Sequence, residues 1–243
     1  MSRPLIGIPA RLASSTSALR YAAAVNARAL LTMVHAAGGE PLSVLPWPDI
    51  DALSAREVAE RLAFVDGILL PGGGDLDPRR YGQDVDSEHL YDIDDVQDSM
   101  DLAVAAWALD HGVPLFAVCR GLHVVNVALG GTLEQHMEEP HREVVHTEVR
   151  HTVEVDGDGW PKGVDVTDDL AVSCYHHQRI DTLGSGLRTL ARADDATVEA
   201  VATVGRDGWF LGVQWHPEDM ADDAQQRAIV GAFVDAARLQ QDR

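Results

Sequence analysis

Cysteine is scarce in this chain, with Cys119 and Cys174 alone among 243 residues, far apart and in no CxxC or CxxH spacing. That scarcity excludes a disulfide framework and a spacing-defined zinc ribbon, and it points to a reducing compartment. Lysine is scarcer still: Lys162 stands alone, and 39 acidic against 19 basic residues set the net charge at −20. Such a field repels nucleic acid and anionic membrane surfaces, so neither is expected as a partner. Long apolar runs are missing too. No stretch approaches the ~18 residues of a membrane span. The opening "MSRPLIGIPARL" lacks a basic region followed by the roughly 7–15-residue apolar core of an export signal. A cytoplasmic protein is expected. With no internal repeat, low-complexity tract or linker, residues 1–243 read as one domain. The acidic runs Asp92 to Asp98 and Asp219 to Asp223 read as solvated surface.

What is present is an alternation of short β-branched runs with longer helical patterns, the signature of an α/β fold with a mostly parallel sheet. "LIGIPA" reads as a first strand. The stretch "ALRYAAAVNARALLTMVHAAGG" follows as a helix, with Leu19, Ala23, Asn26, Leu30, Val34 and Ala37 along one face. "PLSVLP" is a strand, Ser54 and Glu57 form a capping box, and "GILL" is a strand running into three glycines. Val96, Met100, Val104 and Trp107 share helical spacing up to Gly112; "VPLFAV" is a buried strand, and "GLHVVNVALGG" a helix. Beyond residue 145 the runs "EVRHTVEV", "GLRTLARA", "VEAVATV" and "WFLGVQW" have no long helices between them. They predict an antiparallel C-terminal extension of the sheet. Asp222 to Leu239 predicts a last amphipathic helix.

Cys119 lies where the strand "PLFAV" turns into its helix, a corner that faces the ligand-binding carboxyl edge of an open α/β sheet. A tight turn there exposes the side chain, as in a nucleophile elbow, and Gly121 leaves room for close approach. Helix amides aimed at the sulfur favour its thiolate. The local pattern alone fits a small buried hydrophobe equally well. Cys174 has no such corner beside it and reads as structural. Of the eleven histidines, His35 and His111 sit near helix C-termini. His141, His146 and His151 recur every five residues, on no common helix face, and no metal site is expected from them. His216 is different: it ends a strand, and in an extended chain Glu218 points the same way and can fix its tautomer. The glycines of "LLPGGGD" close another strand, where amides turn toward a substrate carbonyl. Alone, such a triplet means only a turn.

Together, "LLPGGGDLDP" with its following "YG", "FAVCRGLHVVNVALGGTL", "SCYHHQ" and "GVQWHPE" resemble the class I glutamine amidotransferase-like superfamily, in its γ-glutamyl-γ-aminobutyrate hydrolase branch, peptidase family C26. The likeness runs from about Arg3 to the last helix. It implies a flavodoxin-like three-layer sandwich and a Cys119, His216, Glu218 triad that cleaves a γ-glutamyl amide through a thioester. It implies an oxyanion hole from the amides of Gly73 and Arg120, and substrate contacts from His123, His177 and Gln178. Neither cofactor nor metal is implied; the partner is a small γ-glutamyl compound, and a homo-oligomer stays open. Two alternatives stand beside the hydrolase: a glutaminase that feeds ammonia to a partner synthase, and a non-catalytic binding module. His123 replaces the family's common glutamine, Gln97 stands where an arginine is common, and Ser173 and Cys174 replace an Asn-Ser pair. None of these touches the triad. Arg120 reads equally as a carboxylate ligand or as a brace of the sheet edge.

Overall fold

A computed structural model describes residues 2–46, 55–138, 144–167 and 169–241. The first part runs β1 Leu5–Pro9, β2 Arg11–Ala13, β3 Ala23–Val25, α1 Arg28–Ala36, β4 Glu40–Val44, α2 Ala55–Leu62 and β5 Gly67–Leu70. The middle holds α3 Asp95–His111, β6 Leu115–Val118, α4 Arg120–Ala128 and β7 Leu133–Glu134. Then come β8 Val149–Thr152, β9 Glu154–Val155, β10 Ala171–Cys174, β11 Arg179–Ile180, β12 Leu187–Arg192, β13 Val198–Thr203, β14 Phe210–Val213 and α5 Ala224–Gln241. An eight-stranded sheet has the order β4-β1-β5-β6-β14-β13-β12-β9. Its first five strands are mutually parallel, and the next three pair antiparallel.

The strands' two-residue side-chain period builds the layers. Leu69, Phe116, Val118 and Leu211 pack on one face with α1 and α5, through Leu30, Val34, Ile229 and Phe233. Ile68, Leu70, Leu115 and Ala117 pack on the other with α2, α3 and α4, through Val58, Met100, Val104 and Leu122. Buried on both sides, "GILL" and "LFAV" are apolar throughout rather than alternating, as parallel core strands should be. The result is the flavodoxin-like sandwich.

Three expectations need correction. The long first helix is only α1. Residues 23–25 instead pair with β2 as a ribbon, and Leu19 is exposed, so the apolar stripe upstream of Asn26 has no partner to bury against. The strand of "WFLGVQW" belongs to the parallel set, because β14 lies beside β6. The acidic run from Asp92 to Asp98 is not all surface, since Asp98, in the first turn of α3, is fully buried. Ser54 and His141 lie outside the described residues.

Candidate active site

Three neighbouring parallel strands, β5, β6 and β14, deliver their carboxyl ends to one place. After β6, the Cys119 amide still donates to Val213 O at 2.8 Å, so the ladder runs up to the sulfur-bearing residue. The chain then turns at once into α4, with Cys119 at φ 51° and ψ −110°. This is a sparsely populated conformation for a residue with a Cβ, and it persists only because packing on both sides enforces it. Gly121 is one of those constraints. A Cβ there would stand 2.3 Å from Leu70 O, so only glycine lets α4 start against the end of β5.

After β14, the His216 amide donates to Ser173 O at 2.8 Å, and Pro217 opens a 3₁₀ turn. His216 Nδ1–H donates to Glu218 Oε1 at 2.8 Å. The carboxylate reaches the ring from inside that turn rather than along an extended strand. The other edge of the ring meets Cys119. Burial alone would lower the His216 pKa, but the negative charge and hydrogen bond of Cys119, together with Glu218, push it up to about 11. The ring is therefore held as an imidazolium, with one edge on Glu218 and the other on the sulfur. Gly72 completes the contact from β5: a Cβ there would lie 2.9 Å from His216 Cε1 and 3.6 Å from Cys119 Cβ.

A cavity of about 410 Å³ opens over the sulfur, lined by Arg11, Gly73, Gly74, Asp94, Tyr175 and His216 among others. Gly73 and the start of α4 both face it. The first amides of a helix have no acceptor within the helix, so the Arg120 N–H is available to an oxyanion. The Arg120 guanidinium is not: it is buried and pairs with Asp98 at 2.5 Å and with Asp101. It braces the base of the site. Arg11, at the carboxyl end of β1, grips Asp101 from the cavity side at 2.7 and 3.0 Å. Gln97 joins the cluster through Asp101 Oδ1 at 3.3 Å and accepts from the Leu12 amide at 3.1 Å.

The remaining candidates stand one layer back. His123 is buried and donates from Nε2 to Gln214 Oε1 at 2.8 Å, and Gln214 Nε2 lies 3.8 Å from Cys119 Sγ. Burial lowers the His123 pKa to about 3, so the ring is neutral and keeps Gln214 turned toward the sulfur. His177 bonds Asp75, next to the glycine loop, at 3.2 Å, and Gln178 donates to Gln135 O at 3.2 Å. Both support the walls without lining the cavity. Sequence reasoning missed Arg11 and Gln214. The corner logic that singled out Cys119 applies equally to Arg11, which leaves the end of β1.

The family model described as Peptidase C26 matches residues 4–218. A Mycobacterium tuberculosis protein, Rv2859c, provisionally named a glutamine amidotransferase, is 34% identical over 97% of this chain and 75% of its own length. The γ-glutamyl-γ-aminobutyrate hydrolase PuuD of Escherichia coli is 32% identical over 86% of this chain and 84% of its own. A solved Thermoplasma acidophilum structure, provisionally described as part of a GMP synthase, superposes with a TM-score of 0.66 at 15% identity, covering 100% of this chain and 98% of that one. That last likeness speaks to the fold alone.

Proposed function

The chain belongs to the peptidase C26 family, and we propose that it is a cysteine hydrolase cleaving the γ-glutamyl amide bond of a small γ-glutamyl compound. One observation carries the chemistry: Cys119, His216 and Glu218 meet under an open cavity, with the imidazole held between sulfur and carboxylate. The γ-glutamyl preference rests on the hydrolase relative from E. coli. The cavity suits a zwitterionic head group, since both basic and acidic residues, Arg11, Asp92 and Asp94, line it.

In this reading the Cys119 thiolate attacks the γ-carbonyl, and the oxyanion that forms is met by the amides of Arg120 and Gly73. The His216 imidazolium gives its proton to the departing amine, leaving a thioester on Cys119. The now neutral ring takes a proton from water, whose oxygen attacks the thioester to release glutamate and restore the thiolate–imidazolium pair. Glu218 holds the ring in one tautomer throughout and stabilises its charge.

The test offers the purified protein γ-glutamyl-γ-aminobutyrate, other γ-glutamyl amines, γ-glutamyl peptides and glutamine, and measures free glutamate. Release from at least one γ-glutamyl amine, lost by about three orders of magnitude or more in Cys119→Ala, is the expected result. Undiminished release by that variant, or none from any substrate, overturns the proposal.

A further inference from the structure

A second group of chemistry-bearing side chains lies behind the candidate active site, and the proposed hydrolysis uses none of it. Cys174 ends β10, His176 follows it, Glu199 lies in β13, and His146 precedes β8. All four are buried, and one ligand atom from each falls within 4.8 Å of all the others. His146 Nδ1 is 3.4 Å and His176 Nε2 3.6 Å from Glu199 Oε1, while Cys174 Sγ is 3.6 Å from Glu199 Oε2. Bonds of about 2.0–2.3 Å to a tetrahedral ion imply ligand-to-ligand edges of roughly 3.3–3.8 Å.

The outer partners orient both rings inward. His176 Nδ1 faces the Gln178 carbonyl at 2.9 Å, which only accepts, so Nδ1 carries a proton and Nε2 is the nitrogen turned toward Glu199. That nitrogen and Glu199 Oε1 are both buried and lie 3.6 Å apart, just beyond hydrogen-bond distance. A buried nitrogen lone pair and a carboxylate at this distance need a positive charge between them, either a proton or a metal ion. His146 Nε2 meets the Asp195 carboxylate at 3.1 Å, and Asp195 is itself held by the amide and hydroxyl of Thr197 at 2.9 Å. A carboxylate or carbonyl behind each ring is the arrangement that fixes metal-binding histidines.

We propose that Cys174, His176, Glu199 and His146 form a structural binding site for a divalent, borderline-soft cation of the zinc type. Four protein ligands close such a site, so it has no open position for chemistry. Binding exchanges the Cys174 thiol proton for a sulfur–metal bond and releases that proton to solvent. Thiolate and carboxylate then balance the two charges of the ion. The ion would tie β10 and β13 to the segment before β8. Since Ser173 O holds the His216 amide, it would also steady the strand on which the active-site imidazole hangs. The five-residue spacing of His141, His146 and His151 gave no hint of it, because three ligands come from other parts of the chain. His151 Nε2 lies 3.2 Å from Cys174 Sγ, outside the four, as a further neighbour of the sulfur.

The experiment strips the full-length protein with a chelator, confirms by circular dichroism that it remains folded, and titrates it with Co²⁺ and then Zn²⁺. The expected result is one ion per chain, intense visible bands of tetrahedral cobalt and a thiolate-to-cobalt charge-transfer band, all displaced by Zn²⁺. Cys119→Ala should keep that charge-transfer band, and Cys174→Ser should lose it. If either variant fails to fold, blocking Cys119 with iodoacetamide in the folded wild type, where Cys174 has no exposed surface, gives the same discrimination: the charge-transfer band should survive the block. No uptake by the folded protein would leave protons as the occupants of the cluster and overturn the site. So would a thiolate band that follows Cys119. Either failure leaves the glutamate assay untouched.

Discussion

At the scale of single residues, the proton on His216 decides how Cys119 behaves. The imidazole's ordinary pKa is about 6.5, and the folded site holds it at about 11. A raised pKa means that the pair's contribution to stability is complete below about 6.5 and disappears as pH climbs through about 11. Reactivity follows the same charge. An ordinary cysteine at pH 6 is under about 1% thiolate. With the proposed thiolate–imidazolium pair, iodoacetamide should alkylate Cys119 rapidly at pH 6 with a rate nearly flat to pH 8. His216→Ala should slow the pH 6 reaction by about 100-fold and restore an ordinary thiol's pH dependence. An unchanged rate in that variant would mean that the ring does not activate the sulfur. Cys174, with no exposed surface, should remain unlabelled in folded protein.

Among the elements, α3 and α4 are joined to the rim of the sheet by charge rather than by apolar packing alone. Asp101 accepts from both Arg11 and Arg120, and Asp98 takes the other side of Arg120. Removing one partner strands a buried guanidinium, so Asp101→Ala should cost about 3–5 kcal/mol in chemical denaturation. A loss below about 1 kcal/mol would show that solvent reaches the cluster. A bracing Arg120 was one of two readings open in the sequence, but its partners were not legible: Asp98 sits in an acidic run that reads as surface, and Arg11 and Arg120 lie far from Asp101 in the chain. The corner at Cys119 and the strands flanking it were legible, because an apolar run ending in Cys-Arg-Gly constrains its own geometry. So were α3 and α4, whose spacing is local. The direction of β14 and the pairing of residues 23–25 with β2 were not, because both depend on which distant strand lies alongside.

For the whole molecule, the charge of −20 is the dominant long-range term. Exposed pairs such as Arg56 with Glu60 contribute only about 0–1 kcal/mol each and weaken with salt. Repulsion among the surplus carboxylates weakens too, and here it outnumbers the pairs. Raising NaCl from about 0.02 to 0.5 M should therefore raise the thermal midpoint; a fall would mean that the surface pairs outweigh the surplus. Among the described residues no helix is long and apolar enough to cross a membrane. The parallel half of the main sheet carries Cys119 and His216 at the ends of β6 and β14, while Glu199 lies on the antiparallel half and Cys174 on the separate β10–β8 ribbon.

The left-handed turn at position 119 sets folding and chemistry against each other. Holding a side chain in that conformation costs on the order of 1–3 kcal/mol, which glycine would not incur. A single exchange to glycine there would relax that turn and remove the proposed nucleophile together. Inert descendants of this architecture would then meet no penalty in keeping its shape, and durability would be a poor guide to whether a relative still turns over substrate.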